Sequence, residues 1–227
     1  MKRFLVLTVS LLSAVIAFAQ QEIKSGDPLA FNRVEFTGNV VVKLIKADTG
    51  RIEIKLNNAE INRLDWGVKD GNLHVKLKPG ASSVGSADVV LYYTSVESLK
   101  LSGANVSVAD TLSAEMLNVE MSAGAVLGAP VAAKDLWVKA SGNSSATLTG
   151  HTKYYTLIAG SKAKVDSRNL QALDARVESA SGAEVYVYAT ERLQMTADTG
   201  GAIFYRGEPA IVRSATKMMG TINSIGK

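Results

Sequence analysis

The sequence predicts an all-β protein whose strands stack by parallel pairing into a β-helix, a solenoid with rungs of about 18–22 residues. Two observations lead to this fold class. Alternating apolar and polar residues recur along the second half of the chain, as expected of half-buried strands. Each run is followed by a knot of small residues at nearly fixed spacing, which is typical of stacked repeats. The knot glycines are Gly103, Gly124, Gly142, Gly160, Gly182 and Gly200.

The short repeat also predicts how the strands pair. A unit of this length has no room for a helical crossover, so equivalent strands are expected to pair directly and in parallel. We align the units on the alanine after each knot, which gives Ala104, Ala125, Ala146, Ala163, Ala183 and Ala202. The residues two positions further on are all apolar and are expected to point into the coil: Val106, Leu127, Leu148, Val165, Val185 and Phe204.

Two more apolar columns precede the knots and are also expected to point inward. The first column contains Leu117, Leu136, Tyr155, Ala175 and Leu193, and the second contains Val119, Val138, Leu157, Val177 and Met195. An antiparallel sandwich or barrel fits residues 31–94 about as well as a β-helix does. For residues 99–206 that alternative leaves the columns of alanine and glycine unexplained.

The first 19 residues are typical of a secretory signal peptide. Lys2 and Arg3 precede an apolar run, and Ala17-Phe18-Ala19 fits the cleavage rule, so we expect cleavage before Gln20. The alternative is an uncleaved anchor, but the run is shorter than the ~20 residues of a membrane span. No later stretch is apolar enough to span a membrane. The chain has no cysteine, so its stability is expected to come from packing rather than from disulfides.

We expect residues 20–227 to form a single solenoid domain with three parts. Residues 20–98 form irregular amino-terminal rungs, residues 99–206 form the regular knotted rungs, and residues 207–227 form a carboxyl-terminal cap. Within the first part, alternation predicts strands at 31–36, 40–46, 52–56, 64–69, 73–77 and 89–93. Asp70-Gly71-Asn72 predicts a hairpin turn. Pro209 is expected to end the last rung, because proline cannot donate to a further ladder.

An ordered set of motifs carries a resemblance to a known family. The motifs are Phe31-x-x-Val34-x-Phe36-x-Gly38-x-Val40-x-Val42, then Val68-Lys-Asp-Gly71-Asn-Leu73-x-Val75, then Ser102-Gly103-Ala104 and Ser181-Gly182-Ala183, and finally Tyr205-Arg-Gly207-x-Pro209. This arrangement resembles exported bacterial proteins of the putative auto-transporter adhesin, head GIN domain family, over nearly the whole mature chain. The resemblance implies a right-handed parallel β-helix-like fold and an exported, cell-envelope setting. It supplies no catalytic motif.

The residue types give little support for nucleic-acid binding, metal binding or catalysis. Signal cleavage lowers the net charge from +4 to +2, which is too mild and dispersed to favour nucleic acid. The two histidines, His74 and His151, lie far apart in the chain without cysteine, so we expect no metal site, no cofactor and no catalytic residue. A hydrolase would need two carboxyls within roughly 5–10 Å of each other. The aligned columns place no two acids on adjacent rungs.

One outward-facing group of aromatic residues is the best candidate for binding. The alignment places Tyr186 and Tyr205 in one column on adjacent rungs, with Tyr188 and Arg206 beside them. They could form a surface on which a ligand stacks. Alternatively, they could form a solvent-facing ladder that stabilises the last rungs.

Three hypotheses about function follow. The first is a non-catalytic envelope or surface protein that binds an unidentified glycan or protein along a face of the β-helix. The second is a carbohydrate-active lyase or hydrolase on the same scaffold. The third is a structural module that self-associates through the ends of the coil. The oligomeric state does not follow from the sequence.

Overall fold

The structure is a computed structural model that describes residues 21–80 and 85–226, so the expected signal peptide lies outside the described residues. The amino-terminal part contains seven strands and one short 3₁₀ helix, Ile61–Arg63. These strands are Gln21–Lys24 (β1), Arg33–Thr37 (β2), Val40–Lys46 (β3), Arg51–Asn57 (β4), Leu64–Lys69 (β5), Asn72–Leu77 (β6) and Ser86–Tyr93 (β7). Asp70 and Gly71, both at positive φ, turn the hairpin between β5 and β6, as the sequence predicts.

Ten further strands complete the coil. They are Ser98–Ser102 (β8), Asn105–Val108 (β9), Leu112–Ser122 (β10), Val126–Ala140 (β11), Ser145–Ala159 (β12), Lys164–Ser179 (β13), Glu184–Ala197 (β14), Ala202–Arg206 (β15), Ile211–Thr216 (β16) and Thr221–Ser224 (β17). Every pairing among these ten strands is parallel. The predicted parallel stack of residues 99–206 is therefore confirmed, and the protein is a β-solenoid of about seven turns.

Each rung presents two faces, one on either side of its tight turn. Face A, before the turn, runs along β5, β6, β2, β8, the later halves of β10 to β14, and β16. Face B, after the turn, runs along β1, β4, β7, β3, β9, the earlier halves of β11 to β14, then β15 and β17. Antiparallel pairing occurs only at the amino-terminal end of this described stack, in the pairs β1–β4, β4–β7 and β5–β6.

The two apolar columns of face A are confirmed residue by residue. Leu117, Leu136, Tyr155, Ala175 and Leu193 are consecutive register partners, and so are Val119, Val138, Leu157, Val177 and Met195. All ten side chains are buried. Burial of apolar side chains along these uninterrupted columns supplies the main stabilising free energy of the stack.

The predicted apolar column of face B is present, but the residues assigned to it are wrong at two rungs. Its register partners are Val106, Leu127, Ala146, Val165, Val185, Ile203 and Ile222. Ala146 thus replaces Leu148, which is also buried, two residues further along β12. Ile203 replaces Phe204, and this one-residue slip moves Phe204 to the outer face.

The slip at β15 has a steric cause. Gly201, rather than Ala202, occupies the position that Ala183 occupies one rung earlier. A Cβ on Gly201 would come 2.2 Å from the carbonyl oxygen of Ser179, which no side chain tolerates. Matching alanine to alanine therefore shifts the alignment by one residue.

The knots are turns of two successive residues in the left-handed αL conformation. The pairs are Ala123–Gly124, Gly142–Asn143, Ser161–Lys162, Ser181–Gly182, Thr199–Gly200 and Met218–Met219. Gly142 occupies the first position of its pair and Gly160 precedes its turn, so the knot glycines do not all occupy the same position of the turn. In the five pairs from Ala123–Gly124 to Thr199–Gly200, the second residue donates its N–H to a carbonyl of the next rung, as Gly124 does to Gly142. This hydrogen bond offsets the αL strain of the residues that are not glycine.

The predicted carboxyl-terminal cap is wrong. The coil does not end at Pro209, because β16 pairs in parallel with β14 and β17 pairs in parallel with β15. Residues 207–210 are a loop at which the chain passes into one more rung. No helix in the part of the chain that the structure describes has the length and apolar character to cross a membrane.

The inward position of Val138 leads to a prediction. We expect Val138→Asp to destabilise the protein by several kcal/mol, because the carboxylate would be buried between Val119 and Leu157 without a cation. Lys139→Asp, on the exposed side of the same strand, should cost at most about 1 kcal/mol. Urea unfolding of both variants provides the measurement. Equal losses would contradict the assignment of the two faces.

A buried phenol leads to a prediction about alkaline pH. Tyr155 points into the coil beside Ala175, whose small side chain leaves room for the ring. Burial raises the pKa of the Tyr155 phenol above its ordinary value, and the nearby Ser167 hydroxyl opposes this rise in part. The folded protein therefore keeps the phenol neutral at a pH where the unfolded chain, with a tyrosine pKa of about 10, releases the proton.

The contribution of the neutral Tyr155 phenol to the free energy of unfolding should be fully present below about pH 10, the pKa of tyrosine in the unfolded chain. It should be lost as the pH rises further. We expect Tyr155→Phe to reduce the loss of unfolding free energy above that pH. Tyr154→Phe, at an exposed neighbouring position, is the matched control. Denaturant unfolding between neutral and alkaline pH tests this. Identical pH profiles for wild type and Tyr155→Phe would contradict it.

Candidate binding surface

The carboxyl-terminal half of face B carries a ladder of aromatic rings and guanidinium groups. The Tyr186 and Phe204 rings are register partners and stack with centroids 4.9 Å apart and an interplanar angle of 18°. The Arg168 guanidinium carbon lies 4.1 Å from the centroid of the Tyr186 ring. The Arg206 guanidinium carbon lies 4.3 Å from the Tyr188 ring centroid. We call these five residues the aromatic ladder.

The predicted partnership of Tyr186 with Tyr205 is wrong. Tyr205 is the register partner of Val187, which is fully buried, and the Tyr205 ring packs partly buried against the core. The cause is the one-residue slip at Gly201, which exchanges the inner and outer faces of β15. Phe204 takes the place expected for Tyr205. Tyr186, Tyr188 and Arg206 lie on the outer side of the same two strands, β14 and β15.

Sequence reasoning missed Arg168. The pairing of β13 with β14 jumps from Ser167–Val187 to Gln171–Tyr188, so a bulge leaves residues 168–170 of β13 without register partners in β14. The bulge brings Arg168 over the Tyr186 ring and within 2.9 Å of the Asp166 carboxylate. The 22-residue interval between Gly160 and Gly182, the longest in the repeat, is the signal that could have revealed it. Bulges of this kind re-aim side chains next to functional sites.

Ion pairs border the ladder on one side. The Lys164 amine lies 2.9 Å from the Glu184 carboxylate, and the two are register partners on adjacent rungs. The interaction with Lys164 lowers the pKa of Glu184 and outweighs the opposing effect of desolvation. Glu184 is therefore ionised at neutral pH and is a poor general acid.

The stacking geometry determines what the aromatic ladder can offer to a ligand. Arg168 covers one face of the Tyr186 ring and Phe204 covers the other. A sugar ring therefore cannot stack on Tyr186, as the sequence hypothesis allowed. What the ladder presents outward is ring edges, phenol hydroxyls and guanidinium N–H groups. The phenol hydroxyls and the guanidinium N–H groups donate hydrogen bonds to hydroxyl, carbonyl or carboxylate oxygens.

A second candidate is a shallow depression of about 610 Å³ on the amino-terminal half of face A. Its charged lining residues are Arg33, Glu35, Lys69, Asp70, His74, Lys76 and Lys100. His74, Glu35, Lys100, Glu120 and Lys139 are successive register partners, so basic and acidic side chains alternate along the column. Lys100 lies 3.7 Å from Glu35, and His74 lies 3.5 Å from Asp65. These two ion pairs engage part of the charge around the depression.

The acidic residues and the histidines occupy separate places. In the described strands, no two carboxylates are register partners on neighbouring strands. His74 lies in β6 and His151 in β12, which do not pair. Within residues 21–80 and 85–226, no three histidine, aspartate or glutamate side chains are grouped closely enough to hold a metal ion.

The fold and this surface define a β-solenoid of stacked parallel rungs with flat, ladder-bearing outer faces. Comparison with protein families identifies the group. The model of the family described as putative auto-transporter adhesin, head GIN domain matches residues 30–209, and the chain belongs to this family. None of the curated proteins compared with this chain matches it significantly.

Several solved structures share the fold. A putative adhesin from Bacteroides fragilis NCTC 9343 superposes with a TM-score of 0.77 at 18% identity, covering 90% of this chain and 97% of that protein. A putative adhesin from Parabacteroides merdae ATCC 43184 gives 0.70 at 17% identity, covering 91% and 96%. A putative lipid binding protein from Parabacteroides distasonis ATCC 8503 gives 0.62 at 15% identity, covering 91% and 96%. At these identities the likeness shows the fold alone.

The stacked rings lead to a prediction about coupling. A double-mutant cycle between Tyr186→Ala and Phe204→Ala should give a coupling free energy of about 0.5–1.5 kcal/mol, because the two rings stack directly. The matched cycle between Tyr186→Ala and Tyr205→Ala should give a smaller coupling, because those side chains lie on opposite sides of the sheet. Urea unfolding measures both. A larger coupling for Tyr186 with Tyr205 would contradict the register of β15.

Proposed function

We propose that this protein is an exported, non-catalytic binding protein of the bacterial cell envelope. It would engage an extended glycan or protein partner along the outer side of face B, at the aromatic ladder. The observation that carries the proposal is the ladder itself. Arg168, Tyr186, Phe204, Tyr188 and Arg206 gather large amphipathic and cationic side chains on one flat surface. Family membership supports a binding role, since the family is described as adhesin-like.

The shape of the surface supports an extended partner. Outward side chains of successive rungs repeat at the strand spacing of about 4.8 Å, so a long partner can make a similar contact at each rung. Individually weak contacts then add along the stack, as in other solenoid proteins. The αL turns that separate face A from face B are two residues long, so they are too short to enclose a small substrate.

The charges support binding rather than acid–base chemistry. Glu184 is held ionised by Lys164, and Asp166 accepts a hydrogen bond from Arg168. The Asp166 carboxylate holds the Arg168 guanidinium in place, and an ionised Glu184 does not donate a proton to a leaving group at neutral pH. The guanidinium fork, in turn, matches the geometry of carboxylate oxygens on a partner.

The export expectation belongs to the same proposal. Residues 1–19 have the composition of a signal peptide. The family description also names auto-transporter adhesins, which fits an exported protein. The chain is therefore proposed to act outside the cytoplasm, where glycans and surface proteins are available as partners.

A glycan array and an affinity capture from envelope proteins, with the chain starting at Gln20, would identify the partner. We then expect Arg168→Ala with Arg206→Ala to weaken binding by about tenfold or more, corresponding to at least 1.4 kcal/mol. Arg176→Ala with Arg192→Ala removes the same number of guanidinium groups from face A and its border, and should leave binding unchanged. A bound glycan should be recovered at its original length.

Three outcomes would contradict the proposal. If both double variants bind as the wild type does, the aromatic ladder is not the binding surface. If only the face A variant loses binding, the partner lies on the other face. If the glycan is shortened, the protein is an enzyme. Thermal melts of both variants would show whether a loss of binding reflects a loss of folding.

A further inference from the structure

The carboxyl-terminal end of the described coil, which we call the tail, has an unpaired strand edge on each face. It consists of β16, β17 and the turn between them. In the described chain β16 pairs only with β14, and β17 pairs only with β15. Exposed apolar side chains collect here, although the strands continue the buried columns: Ile211, Val212, Met218, Met219 and Ile225. Val212 follows the fully buried Leu193 in its column, yet it is 46% exposed.

The backbone at the tail also lacks partners on one side. The Lys217 N–H donates to the Ala197 carbonyl, and the Thr221 N–H donates to the Gly201 carbonyl. In a parallel strand, successive residues direct their N–H and C=O groups to opposite neighbours. Val212, Ser214 and Thr216 therefore direct theirs to the free edge. A free edge of this kind is a ready template for another strand.

The tail turn has a second unusual feature. Met218 and Met219 both adopt positive φ, at 40° and 65°, and are 72% and 89% exposed. Two consecutive αL residues without glycine or asparagine are strained. In the earlier rungs the second αL residue donates its N–H to the following rung, as Gly200 does to Met218. Met219 has no following rung in the described chain.

At the opposite end of the described coil, which we call the head, β5 pairs only with β6 and β1 pairs only with β4, so the head has a matching outline. Residues 58–63 pass from β4 on face B to β5 on face A, and Ile61 is 45% exposed on this segment. The outermost strand of face A is β5, with six residues, and β16 at the tail also has six. The outermost strand of face B is β1, with four residues, and β17 at the tail also has four.

We propose that a second copy of this chain stacks head to tail on the first, so that β16 of one copy pairs with β5 of the next and β17 pairs with β1. β5 runs antiparallel to the other strands of face A, so its pairing with β16 is antiparallel. With all six residues paired, Val212 lies opposite Val68 and Ser214 lies opposite Trp66. Both pairs point inward, which keeps the apolar columns continuous across the junction.

The second pair of strands fits the same stack. β1 is antiparallel to β4, which is itself antiparallel to β7, so β1 runs in the direction of the regular strands of face B. Its pairing with β17 is therefore parallel. Ile23 and Ile222 both pack inward against the core, and a register that places them side by side extends the face B column.

The distribution of charged residues favours a head-to-tail contact between copies over a tail-to-tail contact. Residues 211–224 contain Arg213 and Lys217 and no acidic residue, so two tails in contact would oppose like charges. The two head strands balance Glu22 and Asp65 against Lys24 and Lys69. A head-to-tail contact is heterologous, and it builds an open chain of copies when its rotation does not close a ring.

A complementation experiment tests the proposal with the chain from Gln20. Val212→Lys blocks the tail and Val68→Lys blocks the head, because an inward-pointing lysine disrupts a strand edge. Val126→Lys, at a valine of similar exposure in the middle of face B, is the matched control. Analytical ultracentrifugation over a wide concentration range gives the mass of each species, and circular dichroism melts confirm folding.

We expect wild type and Val126→Lys to form species that grow beyond the dimer with concentration. Val212→Lys and Val68→Lys should each be monomeric alone, and their mixture should give a one-to-one dimer that grows no further. A wild type that stays monomeric throughout would overturn the proposal. Dimers of Val68→Lys alone would show a tail-to-tail contact instead. Loss of association in Val126→Lys would show a lateral contact.

Discussion

Parallel, in-register pairing of the backbone between successive rungs is the constraint on which the rest of this structure depends. Each rung adds a strand whose side chains fall directly over those of the rung before, as Val138 does over Val119. An apolar position is therefore repeated at every rung, and so is a surface position. The interior columns, the two-residue αL turns and the outer ladders are all consequences of this repetition. The chain has no cysteine, so no disulfide cross-links one rung to another.

The same constraint explains the character of the candidate surface. A side chain on the outer face contacts the outward side chains of the two neighbouring rungs, and these cover part of its surface. Tyr186 thus has its ring faces covered by Arg168 and Phe204, and Glu184 is paired with Lys164. What remains available to a partner is edges, hydroxyls and guanidinium groups. A flat surface of this kind suits recognition by many repeated contacts, and the ends of the stack are the places where the repetition is interrupted.

The sequence predicts the columns well where residue size is distinctive. Leu, Val, Met and Tyr alternate with polar residues before each turn, so the face A columns from Leu117 to Met195 follow directly. The face B column begins at the turns, where alanine, serine and glycine substitute for one another. Ala125, Ser144, Ala163, Ala183 and Gly201 occupy equivalent positions. Matching on alanine alone therefore misplaces Leu148 and Phe204.

Other features depend on interactions that a repeat pattern does not encode. The αL positions accept Asn143, Lys162 and Met219 as well as glycine, so glycine does not mark the phase of the turn. The bulge that brings Arg168 to Tyr186 shows in the sequence only as an interval longer than its neighbours. The last rung of the described chain is hard to detect from the sequence because its two strands, β16 and β17, are short.

Hydrogen–deuterium exchange of the chain from Gln20 tests most directly whether the whole described chain is one continuous stack. The account predicts a single gradient of amide protection, slowest in β11 to β13, faster toward both ends, and fastest in β16 and β17, whose strands pair on one side. Protection should pass without a break from β2 and β3 into β8 and β9, which are their register partners. Independent exchange of residues 21–98 as a separate unit, or slowest exchange in β16, would contradict the account.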